Sequence, residues 1–222
     1  MASFINYGSA KLTWVSHACF MLEARGKRVY FDPYNLPENA PEADAVFVSH
    51  EHYDHCDASM ISRVCKKDTK VICPQKASLK LQALSARLQI IREGDAPAVY
   101  GFYSKVVHAY NLNKPFHPKG VGVGYVVTVD GKQFYHAGDT DFIPEMAALK
   151  NIDVAMLPVG GTYTMTVDEA AQAANAFKPK ILIPMHYRSL EGLATDASAL
   201  LEKVGKETKV ELLDPLNKSN NP

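Results

Sequence analysis

The chain has 222 residues, enough for one α/β domain or a compact two-layer sandwich with a sizeable core. Its 24 Lys and Arg balance 24 Asp and Glu, so nothing in the zero net charge supports a nucleic-acid or membrane-surface binder. No apolar run approaches the length of a membrane span, and residues 1–7 lack the basic and apolar regions of a signal peptide, which predicts a cytoplasmic protein.

Taken in chain order, residues 12–15, 19–24 and 29–32 are β-rich, with Arg25-Gly26-Lys27 as a hairpin turn. The short apolar run 45–49 reads as a fully buried strand. Asp57 is placed to cap a helix over 58–66. Val71-Ile72-Cys73 is a short strand, and Pro74 begins a helical segment through Leu84. A second strand-rich region covers 98–110, 121–129 and 133–136, with Asp130-Gly131-Lys132 as a tight turn. A strand at 154–157, a helix at 167–177, a strand at 181–183, a helix at 197–204 and a strand at 209–212 follow. Thr166 or Asp168 serves as capping chemistry for the helix at 167–177. There are no repeats and no linker. Two β-rich halves, each finishing with helices, predict an α/β fold: a four-layer αββα sandwich, one domain over 1–222, with a single site at the sheet edges.

The most informative stretch is His50-Glu51-His52-Tyr53-Asp54-His55, an H-x-H-x-D-H run directly after the buried strand at 45–49. In an extended segment His50 and His52 point to one side, while Asp54 and His55 come where the chain must turn and can face a second point. The run can therefore hold one metal with its first half and another with its second. Two further apolar strands run out into titratable side chains, at His136-Ala137-Gly138-Asp139-Thr140-Asp141 and at Pro184-Met185-His186-Tyr187. Strand ends are where α/β folds place chemistry. The four cysteines show no C-x-x-C pairing, which argues against a zinc ribbon or redox motif. Cys19 and Cys73 read as buried thiols, and Cys56 as a bystander beside His55.

These motifs resemble the metallo-β-lactamase superfamily. The resemblance spans most of the chain: residues 14–20, Phe31-Asp32-Pro33, the H-x-H-x-D-H run, His136-Ala137-Gly138-Asp139-Thr140, Leu157-Pro158-Val159-Gly160-Gly161 and Pro184-Met185-His186-Tyr187. It is closest to the small metal-dependent hydrolases of that superfamily, with N-acyl phosphatidylethanolamine phospholipase D-like enzymes and an ascorbate-6-phosphate lactonase as related branches. Carried over by position, it implies His50 and His52 on a first metal, Asp54, His55 and His186 on a second, and Asp139 bridging both. The residues agree, since one carboxylate can hold two divalent ions at roughly 3.5–4 Å. Imidazole-rich ligation suits zinc, while the carboxylates leave manganese, iron or nickel open.

One position departs from the family pattern. The first metal there takes a third histidine from a middle strand end, in a context like A-x-H, and here the tripeptide is Ala109-Tyr110-Asn111. His108, within the strand, falls on the opposite face from Asn111 by alternation. His117, in the loop 113–120, can fold back over the site and is the favoured replacement. A one-metal first site is a further alternative. His136 either supports a ligand from behind or faces the substrate, or else it is a buried, satisfied histidine. Asp32 either accepts a hydrogen bond from a ligand imidazole or is a turn residue. His17 resembles a motif histidine near the site, although on its own it reads as structural. Tyr163 lines the pocket, and Tyr187 or Arg188 can meet an anionic substrate.

The leading expectation is a binuclear metal-dependent hydrolase whose bridging hydroxide cleaves an ester, lactone, amide or phosphodiester bond of a small molecule, with Asp54 orienting the nucleophile or taking its proton. The rivals are an RNA or cyclic-nucleotide phosphodiesterase, a non-catalytic metal-bound sensor, and an oxygen-reducing diiron role. Zero net charge weighs against a nucleic-acid partner. Whether the chain forms a homo-oligomer is left open.

Overall fold

In the computed structural model, which describes residues 2–187 and 195–217, the first half of the chain builds one seven-stranded sheet and the second half another. The first holds β1 (Phe4–Tyr7), β2 (Ala10–Ser16), β3 (Cys19–Ala24), β4 (Lys27–Phe31), β5 (Ala43–Phe47), β6 (Cys65–Pro74) and β7 (Leu88–Ile91), in sequence order. The second holds β8 (Ala98–Val99), β9 (Phe102–Ala109), β10 (Gly122–Val129), β11 (Lys132–His136), β12 (Val154–Pro158), β13 (Ile181–Met185) and β14 (Lys209–Val210), again in order. In each sheet the pairings β1 to β4 and β8 to β11 are antiparallel, and the remaining ones parallel. The two halves thus repeat one topology, and their strand ends meet.

Strand alternation explains the layering. Leu12, Trp14, Phe20, Leu22, Phe31, Phe47 and Ile72 of the first sheet share a core with Phe102, Val106, Val123, Tyr125, Val127 and Phe134 of the second. The intervening residues Val15, Cys19, Met21, Tyr30, Val46, Val71 and Cys73 face outward, under α1 (Ala58–Val64) and α2 (Gln75–Lys80). On the second sheet, α3 (Pro144–Ala147), α4 (Val167–Phe177) and α5 (Leu200–Lys203) supply the outer apolar faces, and Tyr135 meets Phe177 edge-on at 6.0 Å. Thr166 and Glu169 form a reciprocal cap at the start of α4.

The elements differ from expectation in places. The stretch 98–110 is a hairpin, β8 and β9, turning at Tyr100 (φ 49°) and Gly101 (φ 85°). The expected helix at 58–66 ends at Val64, because Cys65 is already extended and Thr69 accepts from the Lys66 N–H. The helical segment after Pro74 breaks at Leu81 and continues as a 3-10 helix, Gln82–Arg87. The helix at 197–204 is a 3-10 turn, Ala197–Ala199, followed by α5. Among the described residues no helix is long and apolar enough to cross a membrane.

Candidate metal centre

Strand ends of both sheets deliver the polar side chains. His17 follows β2, Asp32 follows β4, the 50–55 run follows β5, Asp139 follows β11 and His186 follows β13. His17, Asp32 and His186 sit in left-handed backbone, with φ of 38°, 43° and 60°. Such conformations cost energy in non-glycine residues and concentrate at functional sites. Gly138 (φ 62°) makes the turn into Asp139, and a Cβ there would lie 2.8 Å from the Val123 carbonyl oxygen and 3.0 Å from Ser49 Cβ. Only glycine fits that turn.

The side chains fall into three overlapping groups whose ligand atoms lie within 4.8 Å of one another. One is His50, His52 and His117; a second is His17, Asp54, His55 and His186; a third, His50, His55 and Asp139, links them. Asp139 is the hinge. Its Oδ2 is 3.2 Å from His117 Nε2, 3.0 Å from His186 Nε2 and 3.8 Å from His50 Nε2, and its Oδ1 is 3.3 Å from His55 Nε2. Asp54 Oδ2 is 3.0 Å from His17 Nε2, 3.8 Å from His55 Nε2 and 3.9 Å from His186 Nε2. All of these residues are buried except His52, which is half-buried.

The surrounding hydrogen bonds fix which imidazole nitrogen is bare. Asp32 accepts from Ser49 N–H (2.7 Å), Ser49 Oγ (2.6 Å) and His55 Nδ1–H (2.7 Å). Because the Ser49 hydroxyl proton goes to Asp32, Ser49 Oγ accepts from His50 Nδ1–H at 2.9 Å. Asn111 Oδ1 accepts from His117 Nδ1–H at 3.0 Å. In their neutral forms His50, His55 and His117 would therefore turn bare Nε2 atoms toward a carboxylate. Lone pairs facing a carboxylate at these distances repel, and His50 Nε2, His55 Nε2 and Asp139 Oδ1 have no hydrogen-bond partner although buried. Buried imidazole nitrogens and a carboxylate oxygen left without hydrogen-bond partners fit a cation, and imidazole with carboxylate is a divalent-metal donor set.

The electrostatics carry the same mark. Burial would raise the Asp139 carboxyl, but the His186 and His55 rings outweigh it and hold it well below the usual range. Asp54 is lowered in the same way, with His55 and His17 overcoming burial. Burial drives His50 well down and takes His17 to about 4. His55 goes up instead: burial would lower it, but the Asp139, Asp54 and Asp32 carboxylates outweigh burial. In the metal-free protein a proton on His55 partly answers the two carboxylates, and a metal ion would take its place.

The structure sorts the expected residues. His50, His52, Asp54, His55, His117, Asp139 and His186 converge. His108 does not: its Nε2 faces Glu145 at 4.0 Å and it enters none of the three groups. Asp32 holds His55, as a residue behind a ligand would. His136 is wholly buried, with its Nε2 at 2.8 Å from the Ala18 carbonyl and 4.0 Å from Asp32 Oδ2. Its Nδ1 accepts from the Gly138 N–H at 3.3 Å, and its ring stacks on Phe31. Tyr163 is 41% exposed, edge-on to Phe116, and its carbonyl accepts from Asn111. Cys56 points to the Ala77 carbonyl, away from the ligands. Tyr187 is buried and stacks on Trp14 at 5.5 Å, and Arg188 lies outside the described residues. His17 joins the second group more closely than its sequence context suggested, and Ser49 was not singled out at all.

A family model described as a β-lactamase superfamily domain matches residues 11–186. A UPF0173 metal-dependent hydrolase from Thermococcus kodakarensis is 32% identical over 220 residues, covering 92% of this chain and 96% of its own. Another from Thermoplasma acidophilum is 35% identical over 201 residues, covering 84% and 87%. Among solved structures, a candidate metal-dependent hydrolase from Parabacteroides distasonis is 32% identical, covers 97% of this chain and 100% of its own, and has a TM-score of 0.88. A metallo hydrolase from Ignicoccus hospitalis is 28% identical, with coverage of 93% and 95% and a TM-score of 0.78.

Proposed function

Because the chain belongs to the metallo-β-lactamase superfamily and is a metal-dependent hydrolase, we propose that it works with a pair of divalent ions on a small-molecule ester, lactone, amide or phosphodiester. His50, His52 and His117 would hold the first ion, Asp54, His55 and His186 the second, with Asp139 between them. Zinc matches the imidazole-rich donors. Bound there, the ions would lower the pKa of a water between them and polarise the substrate's carbonyl or phosphoryl oxygen.

The chain's own residues do the rest. Asp32 Oδ2 orients both rings, accepting from His55 Nδ1–H directly and from the Ser49 hydroxyl whose oxygen accepts from His50 Nδ1–H. His17 holds Asp54 Oδ2 at 3.0 Å, which fixes the carboxylate that orients the nucleophile or takes its proton. The observation that carries this reading is the set of buried imidazole nitrogens and the Asp139 oxygen that lack hydrogen-bond partners, gathered within a few ångströms of one another. The test is a substrate panel of lactones, esters, phosphodiesters and acyl amides, run on the parent, Asp54→Asn and Asp139→Ala. Turnover abolished in both variants supports the assignment. Full activity with full metal content in Asp139→Ala refutes it.

A further inference from the structure

Asn111 stands just past the end of β9, and its side chain is fully engaged. Asn111 Oδ1 accepts two bonds from one residue, the His117 backbone N–H and the His117 Nδ1–H, both at 3.0 Å. The Asn111 N–H donates back to the His117 carbonyl at 2.8 Å, so the loop closes on itself. Asn111 Nδ2 donates to Asp141 Oδ1 at 3.1 Å and to the Tyr163 carbonyl at 3.0 Å. These acceptors settle the orientation of the amide, since neither a carboxylate nor a carbonyl can donate.

Asp141 is buried and gathers the rest of the loop. It accepts from the Leu112 N–H at 2.9 Å and from Lys114 Nζ at 2.7 Å, and Lys114 also reaches the Thr164 carbonyl at 2.6 Å. The Asp141 N–H donates to the Tyr110 carbonyl at 2.9 Å. The loop that carries His117 is therefore tied to the segment that carries Asp139, two residues from Asp141, and His117 Nε2 faces Asp139 Oδ2 at 3.2 Å and His52 Nδ1 at 3.2 Å.

We propose that Asn111, backed by Asp141 and Lys114, is a positioning residue that delivers His117 as the third imidazole of the first metal centre and fixes its tautomer. The first centre then depends on the loop's anchorage, while the second centre does not. This rests on the reading of His117 as a ligand.

The experiment is metal titration of chelator-stripped protein with zinc against a competing chelator, on the parent, His117→Ala, Asn111→Ala and Lys114→Met, with a thermal melt of each stripped protein as a folding control. His117→Ala should lose one ion. Asn111→Ala should bind one ion like the parent and the other roughly 10–100-fold more weakly, the effect expected from removing a residue that orients a ligand. Lys114→Met, a change at the outer end of the anchor, should weaken the same ion to a smaller degree. Parent-like affinity for both ions in Asn111→Ala and Lys114→Met, with one ion lost in His117→Ala, overturns the positioning role alone. Equal weakening of both ions in Asn111→Ala also overturns it. Two ions retained in His117→Ala defeats the ligand reading itself.

Discussion

Asp32→Asn separates a ligand-orienting carboxylate from a turn residue. Asp32 is fully buried and accepts three bonds, from Ser49 N–H, Ser49 Oγ and His55 Nδ1–H. An amide can keep only one oxygen. With its NH2 toward Ser49 N–H, two donors collide and neither can reverse. With its NH2 toward the other pair, His55 must turn its proton to Nε2, into the centre, and the Ser49 hydroxyl must donate to His50, which bares the wrong nitrogen there too. Bonds to a charged acceptor contribute about 1.5–3 kcal/mol each, and losing one should lower the stability of the stripped protein by about that much. For a chain of this size, that is a fall in Tm of about 3–12 °C. Metal affinity should fall roughly 10–100-fold. Calorimetric melts of stripped protein and chelator-competition titrations read the two effects. Parent-like Tm and parent-like affinity in Asp32→Asn would refute the account of how the imidazoles are held.

Proton counting gives a second prediction. His55 is raised well above its usual 6.5 in the metal-free protein, whereas burial keeps His50 and His17 low. Loading metal near pH 7 should therefore release protons, shown by calorimetry in buffers of different ionisation heat; no buffer dependence would contradict it. By the same sign, the stability that His55 gives the stripped protein is complete below the unfolded imidazole value and is lost as pH rises through the folded one. Gly138→Ala should cost about 2 kcal/mol or more, from the left-handed backbone plus a Cβ pressed to 2.8 Å from the Val123 carbonyl, and it should lower metal content by moving Asp139; an unchanged Tm and metal content would contradict the close approach. Burial pushes the Cys56 and Cys73 thiols to about 12 and Cys65 to about 11. Thiol reagents at pH 8 should thus react slowly with folded protein and with all four cysteines once it is unfolded; fast reaction of the folded protein would contradict this.

The outline of the centre was legible because its residues follow apolar strands. His50, His52, Asp54, His55, Asp139 and His186 each stand just past a buried run, and ligand types in that setting have few other uses. The αββα layering followed from two β-rich halves that each finish with helices. What escaped depended on pairing rather than on local pattern. β1 and β7 are short edge strands, half-exposed, and become strands only against β2 and β6. Tyr100-Gly101 hid a hairpin, because tyrosine carries none of the usual turn preference at a positive-φ position. His17 is brought to Asp54 by the left-handed turn between β2 and β3, which its neighbours Ser16 and Ala18 do not announce. The link between Asn111 and His117 is set by a loop conformation that no periodicity encodes.

The central claim is that the buried imidazole and carboxylate cluster holds a pair of metal ions around Asp139, with His117 in the first centre. Metal content per chain, by elemental analysis of protein purified without chelator or histidine tag, tests it directly beside His117→Ala and His108→Ala. The account predicts about two ions per chain in the parent and in His108→Ala, and about one in His117→Ala. One ion or none in the parent, unchanged in both variants, would contradict it.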